Sequence, residues 1–165
     1  MGRELIVIMG PSGCGKSSVS AALSNAIGAP MLEADDFHSQ ANRTKMTAGK
    51  PLTDADRAGW LDRIWQALSD KLAPRVVLAC SALTPYVQSR LREATDRSVH
   101  FVLLNAPRDV LLERVSSRRD HFMPASLLDS QLEALEAPDG AITIDAREPV
   151  GVIVPKIVAA LDHQA

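Results

Sequence analysis

Leu5-Ile6-Val7-Ile8-Met9-Gly10-Pro11-Ser12-Gly13-Cys14-Gly15-Lys16-Ser17 is the stretch that decides how this chain folds. Its first five residues form a continuous apolar run, as a strand buried on both faces shows, and a glycine and a proline end it. The next eight match G-x-x-x-x-G-K-[ST] in full. Beyond them Val19, Leu23, Ala26 and Ile27 recur at helical spacing until Gly28 offers a stop. Strand, glycine-rich turn and helix in that order make a phosphate cradle. The glycines let successive backbone N–H groups converge on an anion, and the helix adds its positive end. A turn that merely joined strand to helix would give no reason for Lys16 and Ser17. Lys16 is placed to reach the terminal phosphates of a nucleoside triphosphate and Ser17 to ligate magnesium. Gly10, Pro11, Ser12, Gly13, Cys14 and Gly15, with Ser18 at the start of the helix, complete the expected nucleotide-binding set. Cys14 needs no chemistry of its own, since its position demands only a backbone N–H.

Outward from this unit, strands and helices alternate. Met31 to Ala34 reads as a short second strand, Arg75 to Cys80 as a third, Val99 to Leu104 as a fourth and Ala141 to Asp145 as the last. Between them a helix starts at Thr53 with Asp56 and carries Trp60, Leu61, Ile64, Trp65, Leu68 and Leu72 on one face, so both tryptophans read as core. Further helices are expected over Tyr86 to Ala94, Arg108 to Arg119 and Pro149 to Leu161. The polar stretch from Asp36 to Pro51 has weak periodicity and reads as helix and loop near the site. The expected class is α/β, a three-layer α/β/α fold with a parallel sheet of about five strands. Residues 1–165 should form a single domain, which the length of 165 residues favours. Ser117 to Pro124 gathers Arg118, Arg119, Asp120 and His121 after an amphipathic helix and reads as a basic lid.

The net charge of -2 gives no global positive field for nucleic acid or an anionic membrane. Apolar runs fall far short of the ~20 residues that span a bilayer, and no targeting segment stands out. Two cysteines, Cys14 and Cys80, have neither zinc spacing nor a disulfide framework, which fits a reducing cytoplasm.

A phosphate loop alone does not choose between a kinase, a hydrolysing switch and a nucleotide sensor. The small size and the basic lid favour a small-molecule kinase whose lid excludes water. In open parallel sheets ligands bind beyond the C-terminal strand ends, so Asp35, Asp36, Cys80, Ser81 and Ala82 should face the loop's crevice. Asp35 is the candidate general base for a hydroxyl acceptor, and Glu33 could help hold magnesium through water. The plainer reading of Asp35-Asp36 is a helix cap, with Asp36 the better capper. For His38, Asn42 and Lys45 a solvated helix face is equally open.

The residues resemble the gluconokinases, P-loop kinases similar in fold to shikimate kinases. The phosphate loop is widely shared. More specific are the block ADDFHSQANRTKMTAGKPLTDADRAGWL at 34–61, Cys80 to Leu83 with Tyr86 and Arg90 to Glu93, and HFMPASLLDSQLEALEAP from His121 to Pro138. The resemblance implies phosphoryl transfer from ATP to the 6-hydroxyl of D-gluconate, with Mg2+ required, and homodimers are common in the family. It implies Asp35 as acceptor-side base, and His38, Lys45, Ser81 and Arg90 at the sugar acid. Arg118 resembles the lid arginine at the ATP phosphates. Arg114, His121 and Gln131 fall in the family's lid and lid-anchoring helix, approximately 117–137, with His121 and Gln131 on the substrate side and Arg114 on the nucleotide side. Lys16, Asp35 and Arg118 are thus the expected catalytic residues. Glu33 stands where relatives often place Asp, and Gln40-Ala41 replaces a more basic pair. A kinase for another hydroxy acid such as shikimate, or a silent nucleotide-binding regulator, are the alternatives. The second would require a broken site, whereas Lys16, Ser17, Asp35 and Arg118 are all present.

Overall fold

The computed structural model describes residues 2–118 and 126–164. Five strands, β1 (Glu4–Met9), β2 (Met31–Glu33), β3 (Arg75–Ala79), β4 (Ser98–Asn105) and β5 (Ile142–Asp145), form one sheet of order β2-β3-β1-β4-β5. Every pairing is parallel, with Ile6 of β1 opposite Val77 of β3 and His100 of β4. β1 is central because both its faces are apolar. Ile6 and Ile8 enter one core, and Leu5, Val7 and Met9 the other, as the two-residue period of a strand requires.

Helices cover both faces. On the Ile6 side lie α1 (Lys16–Ile27) and α7 (Val150–Gln164), joined by Leu111 of α5 (Arg108–Ser116) and Leu128 of α6 (Leu127–Ala134). On the Leu5 side lie α3 (Asp54–Ser69), through Trp60, Leu61, Ile64 and Leu68, and α4 (Pro85–Glu93), through Val87 and Leu91. This is the expected three-layer arrangement. Among the described residues no helix is long and apolar enough to cross a membrane.

The polar stretch after β2 resolves into a 3-10 turn at Ala34–Phe37 and α2 (Gln40–Thr47). Neither aspartate caps a helix. Both lie inside the 3-10 turn, and Ser39 caps α2 through the Asn42 N–H. Thr53 and Asp56 form the reciprocal capping box that their spacing suggested. Helix α5 ends at Ser116, three residues before Arg119, and α6 follows where periodicity alone marked no helix.

Candidate functional site

The phosphate loop takes the conformation its glycines permit. Gly10, Gly13 and Gly15 have φ of 145°, 85° and 96°, a region that side chains rarely enter. At Gly10 an added Cβ would stand 2.8 Å from the Leu104 carbonyl oxygen, and at Gly13 2.8 Å from that of Leu111, so α5 and β4 pack directly on loop backbone. The Gly10 N–H donates to the Ser81 carbonyl, which ties the loop to the segment after β3. The Lys16 ammonium donates to the carbonyls of Gly10 and Pro11 at 2.9 and 3.2 Å, arched over the loop.

Two crevices border this loop. The acceptor-side crevice, of about 730 Å3, brings Ser12 and Lys16 together with Asp35, His38, Ser81 and Gln131. The second, of about 920 Å3, joins Gly13, Cys14, Gly15 and Ser18 to Arg114 and Arg118, with Arg147 to Val150 across from them. Gln131 of α6 bridges to the loop directly, its Oε1 accepting from the Ser12 N–H at 2.7 Å. Arg114 donates to the Gly13 and Ala146 carbonyls at 3.3 and 2.9 Å, so it braces the loop against the end of β5. His121 lies outside the described residues.

Asp35 is held by its backbone. Side chains from α2 and α3 donate to the carbonyls of the 3-10 turn, that of Asp35 also accepting from the His38 N–H. Trp60 Nε1 donates to Ala34 O at 2.7 Å, Arg43 to Asp35 O at 2.8 Å and Arg63 to Phe37 O at 2.6 Å. The Asp35 carboxylate remains partly exposed in the crevice, whereas Asp36 is exposed and does not line it.

His38 is stacked flat on Trp60, with centroids 4.5 Å apart and planes 10° from parallel, and its side chain is only 5% exposed. Asn42 Nδ2 donates to the Asp56 carbonyl at 2.9 Å and faces His38 Nδ1 at 3.4 Å. An amide nitrogen can only donate, so Nδ1 is the acceptor and Nε2 carries the proton, aimed at Asp35 Oδ1 3.8 Å away. Burial holds the imidazole down to about 4 against the opposing pull of Asp35. The folded state therefore binds fewer protons than the unfolded chain between the ordinary value of 6.5 and about 4. The stability this supplies is complete above 6.5 and is lost as pH falls towards 4. An NMR titration should find His38 neutral at pH 6, and a midpoint near 6.5 would contradict the burial.

The Ser17 hydroxyl donates to Glu33 Oε2 at 2.6 Å. Burial raises the Glu33 carboxyl above its usual range, with the Ser17 hydrogen bond opposing. Among the described residues no cluster of three or more His, Cys, Asp or Glu could hold a metal ion. The Ser17–Glu33 pair of hard oxygens suits magnesium carried in largely by phosphates and water. Burial pushes the Cys80 thiol up to about 12, which removes it as a nucleophile.

Two expected sugar-acid ligands are engaged elsewhere. Lys45 Nζ lies 2.6 Å from Asp56 Oδ2, which also accepts from the Thr53 N–H in the capping box. Those two donors hold the Asp56 carboxyl down to about 2. Its contribution to stability should be complete above its ordinary value of 3.8 and fade between there and about 2. Acid unfolding of Asp56→Asn should accordingly be flatter across that window. Arg90 pairs with Asp62 at 3.3 Å and lies 4.7 Å above the Trp65 ring. Neither lines the acceptor-side crevice. Arg57, Trp60 and Ser130 do; the sequence placed Trp60 in the core and pointed to none of the three at the site. Arg57 and Trp60 stand within the block at 34–61, so the signal was present without a direction on the helix.

Comparison with known proteins identifies the family and the fold. The sequence profile described as an AAA domain matches residues 5–138. The chain is 38% identical to the gluconokinase of Gluconobacter oxydans, over 94% of this chain and 89% of that protein. It is 40% identical to that of Arabidopsis thaliana, over 82% and 79%. The crystal structure of a gluconokinase from Sinorhizobium meliloti superposes with a TM-score of 0.86 at 42% identity, covering 98% of this chain and 93% of that one. An unliganded sugar kinase from Janibacter gives 0.87 at 39%, covering 97% and 95%. Similarity of this degree over nearly the full length of several such proteins, on a fold with an intact phosphate loop, means that the chain belongs to the gluconokinase family of P-loop kinases.

Proposed function

We propose that the chain transfers the γ-phosphoryl group of ATP to the 6-hydroxyl of D-gluconate, giving ADP and 6-phospho-D-gluconate. The observation that carries this reading is the crevice in which Lys16 and Ser12 of the phosphate loop meet Asp35, His38 and Ser81, in a chain of the gluconokinase family. ATP would lie along the loop with its nucleoside in the crevice between Arg118 and Arg147 to Val150. Its γ-phosphate would face the acceptor side.

Asp35 takes the proton of the 6-hydroxyl as that oxygen bonds to the γ-phosphorus and the bond to the β-phosphate bridging oxygen breaks. Lys16, turning from the loop carbonyls, and Arg118 stabilise the charge on the transferring group. His38, flat on Trp60, offers Nε2–H to the acceptor or to Asp35, and Ser81 lines the same pocket. Ser17 and Glu33 would hold magnesium, which when bound supplies charge neutralisation between the phosphates. Lys45 and Arg90 would have to leave Asp56 and Asp62 to reach the sugar acid. Arg118 and Gln131 both fall within the proposed lid, residues 117–137, and line the nucleotide-side and acceptor-side crevices respectively.

The test is ADP release coupled to NADH oxidation, with candidate acids offered in turn. Gluconate should stimulate it. Stimulation by shikimate and none by gluconate would overturn the acceptor.

A further inference from the structure

We propose that Arg57 seats the carboxylate of the sugar acid and so sets the preference for an acid over an uncharged polyol, an inference that rests on the gluconate reading above. Among the described residues that line the acceptor-side crevice, Lys16 and Arg57 are the two with permanent positive charge. Lys16 belongs to the phosphates. His38 is neutral at physiological pH because it is buried on Trp60. The cations that sequence resemblance would send to the carboxylate, Lys45 and Arg90, are ion-paired outside the crevice.

The guanidinium of Arg57 is prepared for this task. Nη1 donates to Asp54 Oδ1 at 3.1 Å, one helical turn back, and Asp54 itself faces solvent. That contact fixes one corner of the fork and leaves Nε and Nη2 without a protein partner among the described residues. Two parallel N–H donors on one edge are what a carboxylate accepts in bidentate fashion. Helix α3 is rigid here, because Thr53 and Asp56 box its start and Trp60, one turn further on, is buried with its indole bonded to Ala34 O. The same helix therefore sets both the carboxylate seat and, through Trp60 and the 3-10 turn, the position of Asp35. Gluconate carries its carboxylate and its 6-hydroxyl at opposite ends of one chain. A fixed spacing between Arg57 and Asp35 selects the terminal hydroxyl by holding the other end.

Steady-state kinetics of Arg57→Met and Arg57→Lys, with ATP affinity measured separately by calorimetry, test the assignment. Loss of hydrogen bonds to a charged group should raise the gluconate KM of Arg57→Met by roughly 10- to 150-fold. kcat at saturation and ATP affinity should change far less. Arg57→Lys should recover part of the loss, since it restores charge without the fork. The preference of the wild-type enzyme for gluconate over the matching uncharged hexitol should shrink in Arg57→Met. A gluconate KM within about threefold of wild type in both variants, or a larger rise in Lys45→Met or Arg90→Met, would overturn the proposal. If Arg57→Met does not fold, the Arg57→Lys comparison decides by the same criterion. Absence of gluconate turnover in the wild-type protein would instead sink the underlying activity.

Discussion

Asparagine at position 35 is expected to leave ATP binding intact while lowering kcat by roughly 10²- to 10⁴-fold, the usual range for a lost general base. The substitution keeps the shape and the acceptor oxygen of the side chain and removes its ability to take a proton. The turn should persist, because what holds it are donors to the backbone carbonyls of Ala34, Asp35 and Phe37 rather than the carboxylate. Asp36→Asn is the paired control. Asp36 is exposed and outside the crevice, so its kcat should stay near wild type. Equal activity in the two variants would remove Asp35 from the chemistry, and a loss confined to Asp36→Asn would transfer the role. Calorimetric titration with ATP separates either outcome from damage to the donor site.

Gly13→Ala should destabilise the fold and abolish nucleotide binding together. Left-handed strain on a side chain costs about 1–3 kcal/mol. The new methyl would also meet the Leu111 carbonyl oxygen at 2.8 Å and Val115 Cγ2 at 3.0 Å. Overpacking of this kind adds about 1–3 kcal/mol, because neither a backbone oxygen in α5 nor a buried valine can retreat freely. Each kcal/mol lowers Tm by roughly 2–4 °C in a chain of this size. Gly28→Ala isolates the strain: its φ is also positive, at 63°, but nothing lies within 4 Å of the added carbon. It should cost about 1 kcal/mol and leave ATP affinity unchanged. If Gly13→Ala melts and binds like Gly28→Ala, the close packing of α5 on the phosphate loop is not a constraint on the cradle.

Where sequence and structure part company, the cause lies in how far the deciding contact is along the chain. Strand β1 and the loop were legible because every constraint on them is local: apolar continuity, glycine at positive φ, lysine and serine at fixed offsets. The capping box of α3 was legible for the same reason, being closed between Thr53 and Asp56. The 3-10 turn was not. Asp35 and Asp36 look like helix caps in isolation, and only Trp60, Arg43 and Arg63, reaching in from two later helices, stabilise the tighter turn that turns Asp35 into the crevice. Helix α6 was visible only through family resemblance, since Leu127 and Leu128 give little periodicity in eight residues.

Chemistry by type was set by the sequence: a phosphate cradle from Gly10 to Ser17, a carboxylate after the second strand, a candidate magnesium carboxylate at Glu33, and enough specific residues at 34–61 to mark the family. Which cation serves which anion was decided only in three dimensions. On paper Lys45 and Arg90 are the candidates and Arg57 has no assigned role. Folding brings Asp56 to Lys45, Asp62 and Trp65 to Arg90, and open crevice to Arg57. The physical reason is that Lys45 and Arg90 meet acids of α3 across a helix boundary whereas Arg57 bonds Asp54 on α3 itself, and the face α3 presents is fixed by burying Trp60, Leu61 and Ile64 against the sheet rather than by the charges themselves.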